Sequence, residues 1–340
     1  MGHLRRAAEP APRHREVGRI GTLSITPRAR ALARALAVCL LLAGCTGSGP
    51  SDAGSGAAGP DDLGSPSPPV ASGSGAGTSS AHGADPPEPD ARIPADAAAI
   101  AARLAIELRS LYRAIETWER DGDPSTWPPP REVELRTLYV QRVYRTLAGK
   151  PGLARRTLGR LPHAWRFEVR SNVSASATLF RHATPVDSAE GFSTARPEPA
   201  GVLLGWFEAA ERRFGVDRET LAAVMLIETR FGRIVSRSYA GASGPMQFIP
   251  STWKAYGLGG DVRDPHDAIL GAANYLRASG APEDERRALY AYNPVEAYVD
   301  AVSSYAEVMR RNPNAFFAYF NWQVFVRTVD GDVQLTGPGA

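Results

Sequence analysis

Glu228 ends an aliphatic run, LAAVMLI at residues 221–227, and its carboxyl group is the first candidate for chemistry in this chain. It stands three, four and seven residues after Met225, Val224 and Leu221, so on a helix it shares their apolar face. A charge left unpaired on such a face costs several kcal/mol. Two arrangements avoid that cost. Either Arg230, Arg233 or another base pairs with Glu228 inside the core, or apolar walls hold the carboxyl protonated. The second raises its pKa, as a general acid working near neutral pH requires.

The segment that follows favours the second arrangement. SYAGASGPMQFIPSTWKAYG, residues 238–257, begins at Ser238 and sets small residues around Gly241 and Gly244 before Met246, Gln247 and Phe248. Glycines let a backbone approach a ligand closely, and Gln247 offers a donor and an acceptor to a neutral polar partner such as a sugar amide or hydroxyl. Glu211 and Glu219 fall on polar helix positions, while Asp261, Asp264 and Asp267 suit turns and caps, so Glu228 stands alone as a buried acid. The histidines show no metal spacing, and the only cysteines are Cys39 and Cys45. Neither a metal nor a cofactor is expected.

Four stretches in register carry a family resemblance: IETRFG at 227–232, GASGPMQFIPSTW at 241–253, DPHDAILGAANYL at 264–276 and YNPVEAYV at 292–299. Together they resemble the lytic transglycosylases, and among these the lytic transglycosylase B family, whose fold is similar to goose-type lysozyme. The resemblance covers about a third of the chain, residues 201–309. It implies that Glu228 is the one catalytic carboxylate, and that Ser238, Gln247, Tyr275, Asn293 and Tyr298, with Tyr292 beside them, line a sugar-binding cleft. It also implies the reaction: Glu228 protonates the oxygen joining N-acetylmuramic acid to N-acetylglucosamine, and the neighbouring N-acetyl group stabilises the cationic centre. Glu228 then takes the proton of the muramoyl 6-hydroxyl as that oxygen attacks C1, leaving a 1,6-anhydromuramoyl end. The chain departs from the family between Tyr256 and Asp264, where GLGGDVR replaces a longer Asp-rich loop resembling an EF-hand, so no calcium is expected.

Each of these positions also has a purely structural use. Asn293, ahead of Pro294 and three residues before Glu296, suits a helix N-cap. Tyr275 and Tyr298 suit core aromatics with a polar tip, Ser238 suits a loop hydroxyl, and Tyr239, Trp206 and Trp253 read as packing. Two other functions compete, a hydrolytic lysozyme on the same fold and a wall-binding lipoprotein without catalysis that scaffolds other cell-wall enzymes.

The elements that must position these groups are helices. Ile100, Leu104, Leu108, Leu111 and Ile115 step along one helix face, and a second helix is expected over REVELRTLYVQRVYRTLAGK, so residues 94–183 read as an N-terminal helical region. Residues 184–200 read as a boundary loop and 201–312 as the lysozyme-like catalytic domain. In that domain Gly215 should close one helix and Asp217 cap the next; Asp264, Pro265 and Asp267 should open another as a capping box. Residues 313–340 read as a β-hairpin and tail, with alternating Val324, Val326 and Thr328 and a turn at Asp330 and Gly331. The fold class is therefore mainly α with a C-terminal hairpin.

The chain begins differently. An arginine-rich stretch leads into an apolar run at 35–43 too short to span a bilayer, and Leu42, Ala43, Gly44 and Cys45 match a bacterial lipoprotein signal in which Cys45 is acylated. Residues 46–93, rich in Gly, Ser and Pro, read as a disordered tether. The segment up to Gly44 carries a net +6 against +3 for the whole chain, leaving about −3 afterwards. That removes the compositional case for nucleic-acid binding, which needs clustered basic residues. A lipid-anchored protein on the outer face of the cytoplasmic membrane, acting on peptidoglycan glycan strands, is the expectation.

Overall fold

The computed structural model describes residues 85–340; the expected signal peptide, the lipidation site Cys45 and the tether as far as residue 84 lie outside the described residues. The end of the expected tether is not loose. Pro87 is buried, Ala91 and Ile93 pack against the core, and Arg142 Nη1 donates to the carbonyls of Pro89 (2.8 Å) and Ala91 (3.0 Å).

Among the described residues the architecture is helical with one two-stranded sheet. Four helices form the N-terminal region: α1 (Ala97–Asp121), α2 (Arg131–Ala148), α3 (Pro151–Arg160) and α4 (His163–His182). Helix α1 starts where Asp96 accepts the N–H groups of Ala98 and Ala99, and its expected stripe, Ile100 to Ile115, is buried. It packs on α2 and α3, and α2 packs on α4. At the α1–α2 contact Arg136 Nη1 meets the fully buried Glu107 at 2.8 Å, an ion pair that no sequence pattern announces.

Six further helices surround the catalytic candidate: α5 (Ala200–Phe214), α6 (Arg218–Thr229), α7 (Pro250–Tyr256), α8 (Pro265–Ser279), α9 (Glu285–Tyr292) and α10 (Glu296–Arg311). Helix α6 is the centre. Every residue from Thr220 to Thr229 is buried, as befits a short helix with apolar side chains all round. It contacts α5, α8 and α10, and α10 also packs on α4, so the N-terminal helices and the α6 region share one core.

Local chemistry sets most of the boundaries. Gly215 ends α5 in the left-handed region at φ 68°, as expected. Asp217 does precede α6 but does not cap it with its side chain; the carboxylate instead accepts from Arg310 Nε at 3.1 Å. Arg310 also binds Glu285 (2.6 Å) and Thr220 (2.8 Å), so one guanidinium ties α10 to α6 and α9 in place of the cap. At α8, Asp264 accepts the N–H of Asp267 with Pro265 in the first turn, but the Asp267 carboxylate turns to the N–H of Asp261, so only half of the expected box forms.

After α10 comes α11 (Ala315–Phe320), entirely buried, with Phe316 and Phe320 against Phe231 and Tyr319 against Trp322. Strands β1 (Phe325–Thr328) and β2 (Gly331–Gln334) pair antiparallel, Thr328 opposite Gly331. The turn is therefore Val329 and Asp330, one residue earlier than the sequence suggests, because Gly331, at φ 130°, opens the second strand.

Candidate active site

Glu228 occupies the last turn of α6 and is only 6 % exposed. Among the described residues no cation neutralises it. Arg230 Nη1 donates back to the Leu226 carbonyl and its guanidinium lies 5.9 Å from the Trp322 ring centre; Arg233 Nη1 donates to the Arg230 carbonyl (3.1 Å) and stacks 4.9 Å from Phe320. The core ion pair open to Glu228 on sequence grounds is thus absent among the described residues, and burial raises its carboxyl to about 8. Only the Tyr298 hydroxyl pulls the other way. That hydroxyl is itself buried beside the carboxyl, without a hydrogen bond of good geometry among the described residues. Burial and then the Glu228 carboxyl push the hydroxyls of Tyr292 and Tyr298 well above the usual phenol range, so both stay protonated.

The backbone around this acid is bent away from helical geometry at once. Arg230, Phe231 and Gly232 all have positive φ (54°, 60° and 86°), a conformation that costs a residue with a side chain about 1–2 kcal/mol. Hydrogen bonds hold it there: Phe231 N–H to Met225 O (3.2 Å), Ile234 N–H to Thr229 O (3.0 Å), Gly232 N–H to Thr229 Oγ1 (2.9 Å), and Thr229 Oγ1 onward to Pro245 O (2.6 Å). The last of these joins the end of α6 to the loop of Gln247. Strain concentrated beside a buried acid is a mark of a functional site.

Gln247 repeats the pattern. It too sits at positive φ (50°), 7 % exposed, with Nε2 donating to Gly244 O at 2.9 Å. Its Oε1 is buried with no hydrogen-bond partner among the described residues, an acceptor left for the hydroxyl or amide of a ligand. Gly244 is required here by more than its φ of 78°. A Cβ on it would stand 1.8 Å from the Val262 carbonyl oxygen, so the loop presses on the backbone ahead of α8.

Tyrosines connect the two polar groups. Tyr298 on α10 stacks with Tyr292 at the end of α9 (6.5 Å, 4°), and Tyr292 donates its hydroxyl to Met246 O at 2.6 Å, next to Gln247. Tyr275 on α8 lies 5.6 Å from Tyr292 and donates to Ala291 O at 2.7 Å. Thus Glu228, Tyr298, Tyr292, Tyr275 and the Gln247 loop form one contact chain.

The other two expected residues stand differently. Ser238 Oγ accepts the Ala242 N–H at 3.0 Å, closing its own tight turn, and has no bond to Glu228 among the described residues. Asn293 is fully buried and ends α9, its N–H donating to Leu289 O; it does not cap the next helix, which starts at Glu296 behind Val295. The capping use read for Asn293 is therefore wrong. So is the packing role for Tyr239, which is 75 % exposed beside Ser238. Trp253 does pack, 5.1 Å from Phe248.

Sequence reasoning missed two groups. Tyr256, 4.7 Å from Tyr275, extends the aromatic row, and only its place before a glycine would have marked it. Glu168 on α4 accepts from Tyr112 (2.8 Å) and Tyr144 (3.4 Å), and burial raises it to about 7. It belongs to the N-terminal helices, away from the contact chain above.

Asp264, His266 and Asp267 are the one cluster of metal-ligating side chains among the described residues, with ligand atoms within 4.8 Å of one another. Both carboxylates already accept backbone N–H groups, of Asp267 and Asp261, as turn and capping chemistry predicts.

Comparison with known proteins agrees with this geometry where it reaches. No curated protein and no solved structure matches the chain. Residues 205–311, from within α5 to the end of α10, match the family model described as transglycosylase SLT domain, which supports, in broad terms, a lytic transglycosylase acting on peptidoglycan.

Proposed function

We propose that the protein is a lipid-anchored lytic transglycosylase of the B type that cleaves the bond from N-acetylmuramic acid to N-acetylglucosamine with Glu228 as its only acid and base. One observation carries the reading. Glu228 is buried with no cation beside it among the described residues and its carboxyl is raised to about 8, so near neutral pH it holds the proton that a glycosidic oxygen must receive. As the C1–O4 bond breaks, that proton goes to O4, and the N-acetyl carbonyl supports the charge left at C1. The Glu228 carboxylate then accepts the proton of the 6-hydroxyl as O6 closes on C1, which restores the acid and makes the 1,6-anhydro ring. No water is consumed.

The surrounding residues suit sugar recognition. Gln247 Oε1 and the Tyr298 hydroxyl, buried and without partners of good geometry among the described residues, would meet polar groups of the glycan, while Tyr275 holds the Ala291 backbone and Tyr292 the Met246 backbone. Ser238 and Asn293 would complete the cleft, and acylated Cys45 would keep the enzyme at the outer face of the cytoplasmic membrane, within reach of the wall.

Mass spectrometry of digested sacculi tests this. The protein should release fragments with 1,6-anhydromuramoyl ends, and Glu228→Gln should release none while still binding sacculi. Reducing muramic ends would instead make the protein a hydrolytic lysozyme, and binding without cleavage by the unaltered protein would make it a scaffold.

A further inference from the structure

Behind the loop of Gln247 lies a cavity of about 440 Å³ built from three segments. Residues 193–198 and 231–237 run edge to edge, with Ala195 N–H on Arg233 O (2.9 Å) and Val235 N–H on Ser193 O (3.0 Å). Ser243, Gly244 and Pro245 form a second side, and Arg263 with Pro265 a third. Arg196, Arg237 and Arg263 thus line one space from separate stretches of chain.

Some arginines of the described residues are already paired. Arg136, Arg145, Arg218, Arg286 and Arg310 each meet a carboxylate within 3.0 Å. Among the described residues Arg196, Arg237 and Arg263 have no ion pair; Arg196 only leans over the Trp127 ring at 5.8 Å, and Arg263 is fixed through its backbone N–H on Asp261 Oδ1 (2.9 Å). One carboxylate, Glu198, lines the cavity with the three arginines. An acidic ligand would relieve that excess and gain charge-assisted, two-pronged hydrogen bonds. Apart from Ser243 the rest of the lining, which includes the exposed Val235, is apolar, so the occupant should carry a hydrophobic part beside its charge.

The cavity's lining includes the segments that flank the proposed catalytic residues Glu228 and Gln247 in the chain. Phe231 and Gly232 stand three and four residues after Glu228, and Pro245 O takes the Thr229 hydroxyl. Resting on the reading that peptidoglycan is the substrate, we propose that this cavity binds a free carboxylate of a peptidoglycan stem peptide. The glycan would then lie at Glu228 and its peptide at the arginines, with the Gly244 to Gln247 loop between them. A phosphate polymer of the wall shares the anionic chemistry but has no apolar part to fill the remaining walls.

Calorimetric titration of the full chain with muramoyl tetrapeptide, which has no glycosidic bond to cleave, tests the proposal. The free acid should bind, and amidating its carboxylates should weaken binding about tenfold or more, the loss expected for one charged pair. The exposed Arg237→Glu and Arg263→Glu changes together should do the same without altering the melting temperature. Equal binding of the amidated peptide, unchanged affinity of the double variant, or no binding at millimolar peptide would overturn it. Glycerol phosphate oligomers binding more tightly than the peptide, with the same sensitivity to charge reversal, would reassign the cavity to phosphate polymers. Sacculus cleavage measured on the same preparation separates the two claims: peptide binding without cleavage leaves this site standing and removes the activity, and cleavage without peptide binding does the reverse.

Discussion

Replacing Glu228 by Gln should make the protein more stable, by an amount that grows with pH. Burial lifts the Glu228 carboxyl from 4.5 to about 8 in the native state. Below about pH 4.5 folded and unfolded chains both hold the proton, and the group brings no penalty. Between there and about pH 8 unfolding releases the proton, so native stability falls as pH rises. At 1.36 kcal/mol per unit, the deficit is about 3 kcal/mol at pH 7 and about 5 kcal/mol above pH 8. Glutamine does not titrate and escapes it. For a domain of roughly 150–250 residues, about 3 kcal/mol corresponds to about 6–12 °C in melting temperature. Thermal melts of the two proteins at half-unit steps from pH 4.5 to 8 should diverge steadily, with any fixed offset from lost packing present at every pH. A difference that stays flat across that range would refute the reasoning, since it would mean that Glu228 ionises in the native protein as easily as in the unfolded chain.

Tyr298→Phe removes the one group that lowers the Glu228 pKa, so the alkaline limb of the pH–rate profile should move to higher pH; a limb that stays or moves down would count against the contact. Gly244→Ala forces a side chain into the left-handed region and against the Val262 carbonyl, and should cost at least about 1–2 kcal/mol in urea unfolding, with reduced sacculus cleavage as the Gln247 loop shifts. Glu107→Ala removes the fully buried partner of Arg136, which keeps only the half-exposed Glu132 among its carboxylates, and should cost about 1–3 kcal/mol in the same assay.

Much of this was legible in the residue order, and for identifiable reasons. The α1 stripe and the wholly apolar α6 are periodic patterns whose burial follows from composition alone. Gly215 and the start of α8 are written by glycine and by Asp-Pro, because few other residues meet those backbone demands. Glu228 could be singled out since a carboxylate among aliphatics needs a reason, but its position alone left ion pairing and protonation equal, and the segment from Ser238 onward then favoured protonation. The fold shows why no pair forms, by sending Arg230 and Arg233 to backbone carbonyls and aromatic rings. Where long-range partners compete with local ones the residue order misleads. Asp217 abandons its cap for Arg310, and Asn293 closes the helix before it rather than opening the next. The tyrosine row from Tyr256 to Tyr298 joins four helices or their ends and has no sequence period that could reveal it.

Protonation of Glu228 near neutral pH is what the proposed chemistry most needs. Titration of the protein labelled with ¹³C at its glutamate carboxyls, with Glu228→Gln used to assign the resonance, reads that property directly. The resonance should move with a midpoint near 8. A midpoint near 4.5 would mean an ionised carboxylate under working conditions, unable to give a proton to the glycosidic oxygen.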